Sequence, residues 1–125
     1  MTLSNQNHAS DKIPFFIRIL TSKLDEAKHH HKKLQTYTHA SFQSKHYSID
    51  QISRIHEDNS DFIAHMRQQQ MAWYQQALTP SRRADLESFG QLLNQLETAI
   101  YHVLYCIEQL TKPAAPCQEP LPVAC

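Results

Sequence analysis

Glycine occurs once in this chain of 125 residues, as Gly90, and only Pro14 and Pro80 precede the last fourteen positions. Tight β-turns draw on these two residue types, so a turn-rich sheet architecture is excluded at the outset. Cysteine is scarce as well. Cys106, Cys117 and Cys125 have no zinc-like spacing, and an odd number does not close a disulfide framework, so a reducing compartment is expected. Charge of one sign is missing too, because twelve Lys plus Arg balance twelve Asp plus Glu. Net electrostatics therefore favours neither nucleic acid nor an anionic membrane as a partner. Long apolar runs are absent: "IPFFI", followed after Arg18 by "IL", is too short to span a bilayer. The opening "MTLSNQNHAS" has neither a basic nor an apolar stretch, so no signal peptide is expected and a cytoplasmic location is.

What is present is helical periodicity, in a chain of 14.5 kDa with 41% hydrophobic residues, which the length prior reads as one domain. Ser10 is a candidate cap for a first helix, with Asp11 in its first turn and Pro14 near its start. Ile17, Leu20, Leu24, Ala27, His31, Leu34 and Thr38 then step by threes and fours along one seam. "YSIDQI" reads as a second start, with Ser48 at the N-cap, Gln51 reaching back, and Tyr47 stapled to Ile52. The inner face of that helix uses Ile52, Ile55, Phe62, Ile63, Met66 and Trp73, interrupted by His56, Asn59, Gln69 and Gln70. "LTPSRRADL" marks the sharpest boundary, with Thr79 as N-cap and Pro80 at the first helical position. Beyond it Leu86, Phe89, Leu93, Leu96, Ile100, Val103, Ile107 and Leu110 form an unbroken stripe.

These signals predict an all-α fold: an antiparallel up-down-up bundle of three long helices at about 12–42, 49–77 and 80–111, in one domain over 11–111. A flexible N-terminus, 1–10, and a disordered Pro-rich tail, 112–125, are expected at its ends. Residues 11–47 carry seven basic and three acidic groups, whereas 48–78 and 79–111 carry two basic and four acidic each, so the first helix should be drawn to the others. A thin bundle leaves apolar surface uncovered, which keeps a homodimer open.

"AKHHHKKL", residues 27–34, is the oddest stretch. Successive helical residues point about 100° apart, so His29, His30 and His31 do not converge on one ion. The seam places His31 toward the other helices and leaves His29 and His30 on the wet face. Weak metal candidates are the Glu-x-x-His pair of Glu26 with His29 and the row of Glu57, Asp61 and His65. A di-iron bundle would need a second Glu-x-x-His, which the sequence does not supply, so no metal and no cofactor are expected. Phosphotransfer through His29 or His30 lacks the expected neighbouring glycine. Cys106 with His102 one turn earlier is a thiol-activating spacing, but a small residue flanking the core has the same pattern. Lys23, Lys28, Lys32 and Lys33 form a basic strip without aromatic interleaving, which does not make a nucleic-acid surface.

No glycine-rich phosphate loop or nucleophile elbow is present, so the chain is not expected to be an enzyme. The remaining signal is aromatic surface: Tyr101, Leu104 and Tyr105 on the third helix, and Met71, Trp73 and Tyr74 near the tip of the hairpin. The reading is a protein-protein interaction module that binds and regulates another protein, as inhibitor, adaptor or chaperone. In size and all-helical format the chain resembles the small helical chaperones and effector-regulating proteins of bacterial secretion systems, a likeness that rests on no motif. The alternative is a histidine-dependent bundle that senses pH or binds metal.

Overall fold

The computed structural model describes residues 9–112, with the side chains of 39 and 41–43 outside that description. The two expected flexible ends, with Cys117 and Cys125, lie outside the described residues apart from their innermost positions. Within them the fold is all-α: a 3₁₀ turn, Ser10–Lys12, leads into α1 (Ile13–Gln35), α2 (His39–Tyr74) and α3 (Pro80–Thr111). The three helices form an up-down-up bundle in which α3 is central. Both α1 and α2 pack extensively on α3, while α1 and α2 approach each other closely at few points.

The start of α3 follows the sequence signal. Thr79 is in extended conformation, its side chain accepts a hydrogen bond from the backbone N–H of Arg82 at 3.2 Å, and Pro80 occupies the first turn. This satisfies one of the donors a helix start leaves open. Leu86, Phe89, Leu93, Leu96, Ile100, Val103 and Leu110 are buried along α3, and Ile107 is partly so. At about 1.5–3 kcal/mol for each large apolar side chain removed from water, this stripe is the main organiser of the core.

Three sequence-based boundaries are corrected. α1 ends at Gln35, well short of residue 42, where Thr36 turns its hydroxyl onto the carbonyl of Lys33 at 2.6 Å. α2 begins at His39, ten residues before the expected start, so Ser48 is a half-buried residue inside a helix and caps nothing. Tyr47 is exposed and is not stapled to buried Ile52, and Gln51 donates to the Tyr47 hydroxyl at 2.9 Å. Ser10 makes no cap either: the 3₁₀ turn starts after Ala9 and α1 after Lys12, neither with a side-chain cap bond. The helices are consequently unequal, with 23, 36 and 32 residues, or roughly 35, 54 and 48 Å at 1.5 Å per residue.

The core falls into two clusters. The larger runs from Ile13, Phe16, Trp73, Leu86 and Phe89 up to Ala27, Ile63 and Ile100. The smaller gathers Leu34, Ile49, Ile52, Val103 and Leu110. Between them, on the α1–α2 side, lies a layer of polar groups: Lys23 and His30 from α1, His56 and Asn59 from α2. The attraction expected from net charge thus takes a different form. Lys23 meets a neutral amide, and an ion pair that crosses between helices, Arg67 with Glu97 at 2.8 Å, joins α2 to α3.

Candidate functional site

The residues expected to bind a partner do not gather in one patch. Trp73 is fully buried, its ring 6.0 Å from that of Phe16 and 5.2 Å, edge to face, from that of Phe89. It is a core residue, and its selection as a surface group is corrected: position 73 falls on the same stripe as Ile63 and Met66, which turns it inward. Leu104 is partly buried against the larger cluster. Met71 and Tyr74 are exposed near the Trp73 end of α2. Phe89 marks that level on α3, and Tyr101 lies twelve residues further along, about 18 Å away.

Tyr101 and Tyr105 do pair. They are 63% and 48% exposed, one helical turn apart, with rings stacked at 6.1 Å and 22°. The ring of Tyr101 is also 5.9 Å from that of His102, and His102 lies 5.5 Å from His31 on α1. Four rings therefore run in sequence from α1 across to the outer face of α3. Beside them the α1–α3 junction opens a groove of about 430 Å³, lined among others by Leu24, Lys28, His31, Thr98, Ala99 and His102. Its walls combine aliphatic carbon with a lysine and two imidazoles.

The histidine triplet divides differently from the expectation. His31 is half-buried and faces the groove, but His30, which was placed on the wet face, turns toward α2. Its Nδ1 lies 2.8 Å from Nε2 of His56, with the rings edge to face at 5.1 Å and 82°. His56 is fully buried, and its Nδ1 faces the Asn59 side-chain nitrogen at 3.5 Å. The carbonyl oxygen of Asn59 accepts from the Lys23 ammonium at 2.8 Å, which also sits 5.0 Å over the Phe62 ring. Lys23 consequently leaves the basic strip and belongs to the interior layer. Loss of hydration pushes His56 down from 6.5 to about 4, helped by the neighbouring His30 and, less, by Lys23, against the pull of Glu26. His30 is also lowered, first by burial and then by His29 and Lys33, again against Glu26.

The weaker chemical candidates stay apart. Glu57, Asp61 and His65 are exposed along α2, and Glu26 and His29 are exposed on α1. Among the described residues no three His, Cys, Asp or Glu side chains lie together as a metal-holding group. The Cys106 thiol is half-buried beside the smaller cluster, and burial pushes its pKa up, the opposite of what a nucleophilic thiolate needs. Among the described residues no helix is long and apolar enough to cross a membrane. Compared with known proteins, the chain matches no family model, no curated protein and no solved structure.

Proposed function

We propose that this chain is a non-enzymatic helical module that binds and regulates a partner protein, and that it does so through the outer face of α3 and the adjoining groove. The observation that carries this reading is the run of four rings, His31, His102, Tyr101 and Tyr105, ending in two exposed tyrosines beside an α1–α3 groove. Tyrosine buries large area at modest entropic cost and anchors many interfaces. Stacking holds the two rings in place before binding, which lowers the cost of ordering them. Lys28, His31 and His102 give the groove hydrogen-bond donors, so the partner segment we favour carries an acidic side chain next to an apolar one.

The test is photo-crosslinking in the native cell, with a benzophenone side chain at Thr98 in the groove and, as control, at Glu57 on the outer face of α2. The reading predicts a discrete protein adduct at position 98 that disappears when Tyr101→Ala and Tyr105→Ala are combined. An adduct that forms equally at position 57, or that survives the double substitution, refutes it.

A further inference from the structure

The polar layer between α1 and α2 has a direction, and Lys23 imposes it. An ammonium has three protons and no lone pair, so the Asn59 atom it meets at 2.8 Å is the carbonyl oxygen. The amide nitrogen of Asn59 therefore faces Nδ1 of His56, and that ring nitrogen is the acceptor. A neutral His56 with a bare Nδ1 carries its proton on Nε2, from which it donates to Nδ1 of His30 at 2.8 Å. His30 in turn keeps its own proton on Nε2. One cation thus sets the tautomer of two rings on two helices, an assignment made from the network itself.

This chain has no place for another proton. A proton on His30 Nδ1 sets two N–H groups head to head across 2.8 Å. Shifting His56 to the other tautomer moves the conflict to Asn59, and turning Asn59 over moves it to Lys23. Every rearrangement within the chain leaves a donor facing a donor, which in a layer buried at His56 and Asn59 and half-buried at Lys23 and His30 forfeits a hydrogen bond.

We propose that the Lys23–Asn59–His56–His30 chain is an acid-released latch: a proton on either ring breaks it, and the turns of α1 and α2 that carry it part and fray while the rest of both helices stays packed on α3. The selectivity follows from the architecture. The apolar seams of α1 and α2 each face α3, whereas α1 and α2 approach closely at few points and meet here through polar side chains. The surroundings reinforce it. On α1, Lys23 and Lys33 oppose added positive charge and Glu26 favours it, with His29 adding a further opposing group. On α2, exposed Glu57 accepts from Ser53 at 3.3 Å, and Ser60 donates to the His56 carbonyl. On α3, Glu97 is paired with Arg67 and His102 packs on His31, while Ile100 and Val103 belong to the larger and the smaller apolar cluster.

The sign is fixed by the closed state taking up protons less readily than the open one. His56 titrates at about 4 when the latch is shut and near 6.5 once solvated, so opening gains as pH falls below 6.5. Between pH 7.5 and 5 these two values raise the opening constant on the order of thirtyfold.

The test uses the full chain. Long-range nitrogen-proton NMR of the imidazoles reads tautomer and titration, and amide hydrogen exchange, corrected for its intrinsic pH dependence, reads opening. Expected are Nε2–H tautomers for His30 and His56 at pH 7.5, and titration of both below 6.5. On going to pH 5, roughly thirtyfold faster exchange is expected in residues 26–33 and 52–60, with Trp73 fluorescence unchanged. His56→Phe keeps the ring and removes the titration, so its exchange should lose the acid response. A Nδ1–H tautomer on His56, a midpoint for either ring at or above 6.5, or an unchanged acid response in His56→Phe overturns the proposal. If that variant does not fold, the wild-type titration alone decides.

Discussion

Gly90 offers a quantitative check on how α2 and α3 meet. It is buried inside α3, and a Cβ built there would lie 2.6 Å from Nε2 of Gln70 on α2 and 3.8 Å from its Cδ. Replacing glycine by alanine in a helix interior gains about 1 kcal/mol from propensity alone. Against this stands the displacement of Gln70, whose amide must swing away into a less favoured rotamer at a cost of about 0.5–1.5 kcal/mol. Because the obstructing atom is the end of a flexible side chain, the backbone does not have to move. Gly90→Ala should therefore change stability by no more than about 0.5 kcal/mol. In a Gln70→Ala background the obstruction is gone, and the same substitution should stabilise by about 1 kcal/mol. The coupling between the two sites, about 1 kcal/mol, is read from urea denaturation followed by circular dichroism, provided the four proteins share one m-value. Equal effects of Gly90→Ala in both backgrounds would show that α2 and α3 do not approach each other at this point.

Other outcomes follow from the same packing. Trp73→Ala removes the ring lodged between Phe16 and Phe89 and should cost about 3–5 kcal/mol in denaturant titration. Thr79→Ala deletes the side-chain cap bond at the start of α3 and should cost about 1 kcal/mol by the same measurement. Burial holds His56 at about 4 in the folded chain against 6.5 when solvated, so its contribution is fully present above pH 6.5 and is lost as pH falls toward 4. Global stability should accordingly drop by roughly 2 kcal/mol between pH 7.5 and 5 in the wild type, and by less in His56→Phe, as read from urea midpoints at each pH.

The parts of the fold that could be read from the sequence are those where local and tertiary preferences agree. At Thr79 and Pro80 the cap chemistry, the fixed φ of proline and the onset of an apolar stripe coincide, and the helix starts there. At Ser48 the same kind of cap signal stands inside α2, because nothing local breaks the helix and Ile49 and Ile52 hold it against Leu34 and Val103. The real break, at Thr36 to Thr38, contains neither glycine nor proline and so announces itself weakly.

His30 departs from the expected wet face for a geometric reason, while His29 is exposed and His31 turns toward α3 as the seam implies. A helix in a three-helix bundle has two inner edges, whereas a single seam drawn through Leu24 and Ala27 allows only one. Continuing by three residues gives His30, which faces α2, and continuing by four gives His31, which faces the α3 groove. Periodicity offered both steps, and only the position of α2 separates them. The buried His56 and Asn59 were visible as polar interruptions, but their partners on α1 were not, since pairing across helices leaves no trace in spacing. Tyr101 and Tyr105 were legible as an exposed pair from their i,i+4 spacing off the seam.

Both tyrosines of the α3 face are exposed enough that losing them should leave the bundle's stability within about 0.5 kcal/mol per site. That makes affinity a clean readout. The most direct measurement is calorimetric titration of the purified crosslinked partner against the wild type and against Tyr101→Ala combined with Tyr105→Ala. A pair of anchoring rings worth about 2 kcal/mol or more predicts a Kd raised at least roughly thirtyfold in the double variant. An unchanged Kd, with the variant folded as judged by its circular dichroism, would contradict the assignment of this face.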